Sequence, residues 1–201
     1  MRFAVLASGS GTNLQALIDH VHGKDADCVA VLSDKPGAQA LERAAAAGIP
    51  THVFELAEYS DRGARDAAMA DLLADELAVD LVVLAGYMAI LTPRFVQRFP
   101  DRVVNVHPSL LPAFPGVRAI EQALDYGVVA FGVTVHLVDE GVDSGSVLLQ
   151  RAVELPGRRT QAEVHEALRP LEHELLVAAV RAFARDEVRP DPDHPRRWLV
   201  G

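Results

Sequence analysis

At 201 residues, half of them hydrophobic, the chain is long enough for one α/β domain with a substantial core. No stretch reaches the ~20 apolar residues that a membrane-spanning helix needs. A formal charge of −9 argues against nonspecific binding to nucleic acid or a membrane surface, which calls for a net basic face, but it leaves room for a locally positive pocket and an anionic small molecule.

The N-terminus, MRFAVLASGSG, reads as a first buried strand over Phe3–Ala7 rather than a signal peptide, because a Gly/Ser loop and a helix follow directly. That helix is predicted over Asn13–Val21, with Thr12 and Gln15 at capping-box spacing. Cys28–Leu32 is the next strand. Its lone cysteine excludes an internal disulfide framework, suits a reducing cytoplasm and reads as a buried thiol rather than a nucleophile. Pro36 is expected to open a second helix that Gly48 closes. Thr51–Phe54 is a short strand, and Arg62–Leu77 is helical with Ala68, Met69, Leu72, Leu73 and Leu77 near one face. Val79–Leu84 has the continuous apolar character of a parallel strand covered on both faces. Thr92-Pro93 starts another helix that ends near Phe99-Pro100.

Val103–His107 is one more strand, followed by a proline-rich run to Gly116 and a short helix over Ile120–Tyr126. Val133–Val138 and Val147–Val153 are predicted antiparallel neighbours, joined by the polar loop Asp139–Gly145. Thr160 and Glu163 again have capping-box spacing and open a long amphipathic helix to about Arg185. The tail Pro190–Gly201 reads as an irregular arm. The predicted fold is α/β: an open, mostly parallel twisted sheet with helices on both faces and an antiparallel C-terminal extension.

Three features carry chemistry. The turn Ser8-Gly9-Ser10-Gly11-Thr12-Asn13 joins a strand to a helix, where backbone N–H groups and the helix dipole favour a phosphate. A tight turn favours glycine in any case. Gly9 and Gly11, with Asp34 as a distant acid, partly fit a dinucleotide fingerprint, but Leu14 stands at its third glycine position, so a mononucleotide phosphate fits better. Asn105 and His107 are two apart at a strand end, so their side chains share a face at the carboxyl edge where open α/β sheets bind ligands. Both residues are equally compatible with merely satisfying backbone groups there. Within Asp139–Gly145, Asp139 and Glu140 read as solvated turn formers, whereas Asp143 would favour the imidazolium of His107 if the two met. His136 shares a face with Gly132 and Thr134 and reads as a buried, hydrogen-bonded core histidine.

Four segments resemble the phosphoribosylglycinamide formyltransferase family: Ser8 to Gln15, Leu84 to Leu91, Asn105-Val-His-Pro-Ser-Leu-Leu-Pro-Ala-Phe-Pro-Gly116, and Gly132 to Gly145. They run in order along all but the tail. The Asn-x-His-Pro-Ser-Leu-Leu-Pro run marks the wider formyltransferase superfamily, and the glycine turn and Phe-Pro-Gly narrow it to the glycinamide branch. The resemblance implies a Rossmann-like formyltransferase fold and transfer of the formyl group of 10-formyltetrahydrofolate to the amine of 5-phosphoribosylglycinamide in purine synthesis.

It also implies residue roles. Asn105, His107 and Asp143 match the catalytic trio, the first two stabilising the oxyanion and Asp143 setting the protonation of His107 and relaying a proton. Gly11, Thr12, Asn13 and Glu172 match the nucleotide contacts. Arg62, Met88, Ala89, Ile90 and Leu91, together with Asn105 and Asp143, match the folate contacts. No metal is implied, and the expected partners are small molecules, with no nucleic acid or membrane and the chain a cytoplasmic monomer or homodimer. The implied division is a formyltransferase domain over 1–189, its 1–100 half binding the nucleotide phosphate and its 101–189 half catalytic and folate-binding, with 190–201 as the tail. Departures from the family pattern are Arg118 and Ile120 where histidines are common, Ala89 for an arginine, and Ser144-Gly145-Ser146 where a Gly-Pro is usual. A formyltetrahydrofolate deformylase normally carries a preceding regulatory domain, whereas this chain opens on its first strand. A methionyl-tRNA formyltransferase has Arg-Gly in place of Pro115-Gly116. A nucleotide-binding module without transfer chemistry leaves the Asn-x-His end unexplained.

Overall fold

A computed structural model describes all residues from Met1 to Gly201, which fall into two compact units, Met1–Asn105 and Val106–Gly201. Seven strands form one sheet in the order β3-β2-β1-β4-β5-β6-β7, and β8 and β9 form a separate pair.

In the first unit, β1 (Arg2–Leu6) lies between β2 (Asp27–Ser33) and β4 (Leu81–Leu84), with β3 (Thr51–Val53) beyond β2, and every pairing is parallel. Phe3, Ala4, Val5 and Leu6 on β1 and Leu81, Val82 and Val83 on β4 are all fully buried, which accounts for their unbroken apolar sequence. The chain steps from β1 outward to β3 and then returns across β1 to β4. Right-handed crossovers therefore carry α1 (Thr12–His20) and α2 (Gln39–Ala46) to one face, and α3 (Arg62–Asp71) and α4 (Pro93–Arg98) to the other. The reversal between β1 and β4 is a topological switch point, the place where open α/β sheets bind ligands. β5 (Val103–His107) pairs with β4 in a register that sets Asn105 beside Leu84 at that same carboxyl edge.

Three local expectations are corrected. Thr12 is the first residue of α1 rather than its cap. The cap is Gly11, in the left-handed region at φ 70°, and no side chain bonds there, because Gln15 is turned toward Asp19 and Arg43. Pro36 lies in a turn, and α2 starts only at Gln39, although Gly48 does close it at φ 71°. The helix from Arg62, capped by the Asp61 carboxylate on the Ala64 N–H, narrows its claim to Asp71 and continues as a single wider π turn over Leu72–Glu76.

In the second unit, β6 (Ala130–Leu137) and β7 (Val147–Glu154) pair antiparallel, with a register shift between Val135 and His136. The helix α5 (Ala119–Tyr126) ends on left-handed Gly127. The long helix α6 (Gln161–Ala184) packs on both strands and on α5. Its start is a complete capping box: Thr160 Oγ1 accepts from the Glu163 N–H, and the Glu163 carboxylate accepts from the Thr160 N–H. Val164, Leu168, Leu175, Leu176, Val180 and Phe183 form its buried stripe. The tail is not an irregular arm. Its ends pair as β8 (Val188–Pro190) and β9 (Trp198–Val200), and β9 lies against β7.

Candidate active site

The segment that follows His107 is fixed onto β6 by side chains. Gly132 leaves the space in which Leu110 sits, since a Cβ there would fall 2.4 Å from the leucine Cδ2. The fully buried Thr134 hydroxyl donates to the Ser109 carbonyl at 2.7 Å and accepts from the Leu111 N–H at 3.1 Å. The Gln150 amide nitrogen donates to the Leu111 carbonyl at 2.8 Å and to Thr134 Oγ1 at 2.9 Å. Beyond this anchor, Phe114 takes a left-handed conformation at φ 54° and turns the chain back toward His107.

That return builds a polar cluster around His107. His107, 4% exposed, faces the Phe114 carbonyl through Nε2 at 2.9 Å and the Asp143 carboxylate through Nδ1 at 3.4 Å. Asp143 Oδ2 accepts from the Gly116 N–H at 2.8 Å, and Oδ1 lies 3.4 Å from Nε2 of His136. His136 is 2% exposed, and its Nδ1 bonds to the Leu137 carbonyl at 2.8 Å. Both ring nitrogens of each histidine thus face oxygen acceptors, with the aspartate between the rings.

Burial by itself would raise the Asp143 carboxyl. The hydrogen bond from His136, the Gly116 amide and the charges of both histidines outweigh it and bring the carboxyl from its ordinary 3.8 down to about 2. The loop is shaped for this. Asp143 is left-handed at φ 51°, and Asp139 accepts from the Ser144 hydroxyl and the Gly141 N–H. Gly145 has no room for a side chain, because a Cβ would lie 1.8 Å from the Leu137 carbonyl oxygen. From the tail, the Arg196 guanidinium donates to the Ser144 carbonyl at 2.6 Å.

The structure therefore brings His107 and Asp143 together and adds His136, which sequence reasoning had consigned to the core. His136 is buried and hydrogen-bonded, as its place on the face of Gly132 and Thr134 predicts, and its second ring nitrogen faces Asp143. Asn105, half-buried on β5, shares the His107 face by its two-residue spacing.

The first unit carries the remaining pieces at its switch point. The turn after β1 places Gly11 and Asn13 out of solvent and Thr12 half-buried. Ser8, 6% exposed, donates its hydroxyl to Asp34 at 2.5 Å and accepts from the Met88 N–H at 2.9 Å. Asp34 is thereby engaged with a serine of its own chain, which removes it as the acid of a dinucleotide fingerprint. Asp66, fully buried and ion-paired with the buried Arg65 at 2.7 Å, accepts from the Thr92 N–H at 2.7 Å. The segment Met88–Leu91 is so held at both ends, with Met88 and Ile90 more than half exposed, Ala89 half-buried and Leu91 buried. Arg62 opens α3 in an exposed position. Arg62 and the Met88–Leu91 segment lie in the first unit.

In the second unit, Glu172 is 5% exposed on the apolar stripe of α6, with His165 at 3.8 Å. Arg118 is exposed and paired with Glu121, and Ile120 is a core residue. Cys28 is buried on β2, which pushes its thiol up to about 12 against a smaller opposing effect of the Ala30 carbonyl, so it is no nucleophile. No group of three or more His, Cys, Asp or Glu is placed to hold a metal ion, and no helix is long and apolar enough to cross a membrane.

A buried histidine at a strand end, paired with a half-buried aspartate, suits a group-transfer enzyme of the formyl transferase class. The family model described as "Formyl transferase" matches residues 1–180, and the chain belongs to that family.

Its relatives narrow the branch. The phosphoribosylglycinamide formyltransferase of Haemophilus influenzae is 42% identical over 190 residues, 94% of this chain and 89% of the relative. That of Mycobacterium tuberculosis is 45% identical over 184 residues, covering 91% and 85%. The crystal structure of glycinamide ribonucleotide transformylase 1 from Symbiobacterium toebii superposes with a TM-score of 0.94 at 40% identity, covering 100% of this chain and 93% of that one. The chain also matches the human trifunctional purine biosynthetic protein adenosine-3 at 43% identity, but spans only 19% of its length.

Proposed function

We propose that this chain transfers the formyl group of 10-formyltetrahydrofolate to the amine of 5-phosphoribosylglycinamide, giving N-formyl-glycinamide ribonucleotide and tetrahydrofolate in de novo purine synthesis. The observation that carries this reading is the His107–Asp143–His136 cluster, with Asn105 on the same strand as His107. The names of its relatives support phosphoribosylglycinamide as the acceptor and a formyl group as what is transferred.

In this reading the amine nitrogen attacks the formyl carbon, forming a new C–N bond and a tetrahedral oxyanion. Asn105 donates a neutral hydrogen bond to that oxygen and His107 a charged one, from the Nε2 that the Phe114 carbonyl occupies here. The formyl oxygen takes the place of that carbonyl. A carboxylate held at about 2 stays ionised through the reaction. Asp143 therefore orients Nδ1 of His107, balances the imidazolium and, remaining an anion, orients the water that carries the amine proton to the departing N10. The intermediate collapses by breaking the bond from carbon to the folate N10, which leaves with a proton. No step requires a metal.

The Gly11–Asn13 turn is assigned to the 5′-phosphate and Glu172, buried on α6, to the ribose hydroxyls, as the family resemblance implies for both. Arg62 and the Met88–Leu91 segment are assigned to the folate, the exposed Met88 and Ile90 forming an apolar lip for a flat ring. The folate acts as co-substrate, and the single buried cysteine suits a cytoplasmic location.

The test is release of tetrahydrofolate from 10-formyltetrahydrofolate with and without glycinamide ribonucleotide. Release that depends on the nucleotide is expected. Release without it would identify a hydrolase, and none at all would leave a binding module. Asn13→Ala should raise the KM for the nucleotide more than that for the folate, and the reverse pattern would exchange the two subsites.

A further inference from the structure

The phosphate turn is held from behind, and one side chain does much of the holding. A trans peptide is planar, so its carbonyl and the N–H of the next residue point in opposite directions. Fixing a carbonyl on one side of a turn therefore aims the following N–H at the other side. In the turn after β1, the Gly9 carbonyl accepts from the Ala40 N–H at 3.1 Å, and the Ser10 carbonyl accepts from Arg43 Nε at 2.8 Å. Both donors belong to α2. Two consecutive N–H groups, those of Ser10 and Gly11, are accordingly turned away from α2, as in a backbone nest for an anion. Close approach is built in: Gly11 is left-handed, and a Cβ there would lie 2.7 Å from the Ala40 Cα.

Arg43 is itself held at a second point. Its Nη1 donates to Gln15 Oε1 at 3.1 Å, while the Gln15 amide nitrogen donates to Asp19 at 2.9 Å. Neither hydrogen-bond partner of Arg43 is charged, so its positive charge stands behind the turn uncancelled by them, in a chain whose formal charge is −9. Arg43 as a residue is half-buried, so its charge is screened less than that of a fully exposed arginine.

We infer that Arg43 is a positioning residue for the nucleotide phosphate: it aims the Gly11 N–H through the Ser10 carbonyl and supplies fixed positive charge to the turn. This rests on the assignment of the turn to the 5′-phosphate. Arg43 touches no reacting atom, so its contribution appears in nucleotide affinity and not in turnover at saturation.

The experiment is steady-state kinetics of Arg43→Met, Arg43→Lys and Asn13→Ala, each variant checked by circular dichroism and its Tm. Arg43→Met should raise the KM for glycinamide ribonucleotide about tenfold, a loss of ~1.4 kcal/mol. The folate KM and the kcat at saturating nucleotide should stay within about twofold. Inorganic phosphate, used as a competitor against the nucleotide, should weaken in parallel. Arg43→Lys keeps the charge but loses the fork and should recover part of the loss. If Arg43→Met does not fold, Arg43→Gln gives the same comparison. A normal nucleotide KM in the Arg43 variants, with a raised one in Asn13→Ala, overturns the inference and spares the turn. Normal values in both remove the phosphate assignment and the inference with it. Equal rises in both KM values, or a fall in kcat, mean general damage and also overturn it.

Discussion

Asp143 meets two imidazoles and an amide N–H at once, and this commits it to the anion. A folded-state value of about 2 against an ordinary 3.8 means that its stabilising contribution is complete above about pH 4 and is lost as pH falls toward 2. Asp143→Asn removes the charge while keeping the size. The acid limb of stability between these values should flatten, as read by urea unfolding at pH 5 and pH 3. Turnover should fall by ~10²-fold or more, the scale of a lost acid–base partner; a near-normal rate would remove the assigned role. The pairing of Asn105 with His107 on one face was legible from strand period, because their spacing is local, whereas Asp143 was named only through the family resemblance. The meeting of Asp143 with His107 was not legible, since it depends on a left-handed residue in a loop 36 positions away. His136 was read correctly as buried and hydrogen-bonded, and only its contact with Asp143 was hidden, for the same reason.

At the level of elements, two substitutions separate the loop from its scaffold. Gly145→Ala forces a methyl against the Leu137 carbonyl, inside a loop closed by the Leu137 N–H on the Ser146 carbonyl at 2.9 Å. The loop must shift, at a cost of about 1–3 kcal/mol, and because it carries Asp143 the loss of turnover should exceed what the fall in Tm explains. Thr160→Ala removes one half of the α6 capping box and should cost about 0.5–2 kcal/mol while leaving both KM values unchanged. Thermal unfolding and kinetics on the same samples distinguish the two.

The same contrast shows what sequence can tell about elements. Thr160 and Glu163 had the right spacing and nothing to compete with it, so the box formed. Thr12 and Gln15 had equally good spacing. There the left-handed Gly11 took the cap, and Gln15 was drawn to partners on α2 and along its own helix. Strands β1, β4 and β5 were plain in their apolar runs. The tail hairpin was hidden, because strands of three residues leave no period to read.

For the whole molecule, Cys28 offers a built-in reporter. It lies on β2, flanked by β1 and β3, with its thiol pushed to about 12, so a thiol reagent at neutral pH should reach it only when the sheet opens. Labelling by iodoacetamide is expected to follow unfolding across a urea series. Nucleotide at 100 times its Kd stabilises the folded state by ~2.7 kcal/mol and should slow labelling about 100-fold. Rapid labelling in native buffer would contradict the burial of β2.

The packing of Gly11 against Ala40 bears on how this turn can change over generations. The nearest atom to a side chain at position 11 is the Ala40 Cα, a backbone atom that no substitution at position 40 takes away. Glycine is thus retained at position 11 by the fold alone, in any descendant, whether or not it still recognises a nucleotide. Its persistence across a lineage is a record of architecture. Loss of function would be written first at Arg43, which is only half-buried and so less constrained by packing.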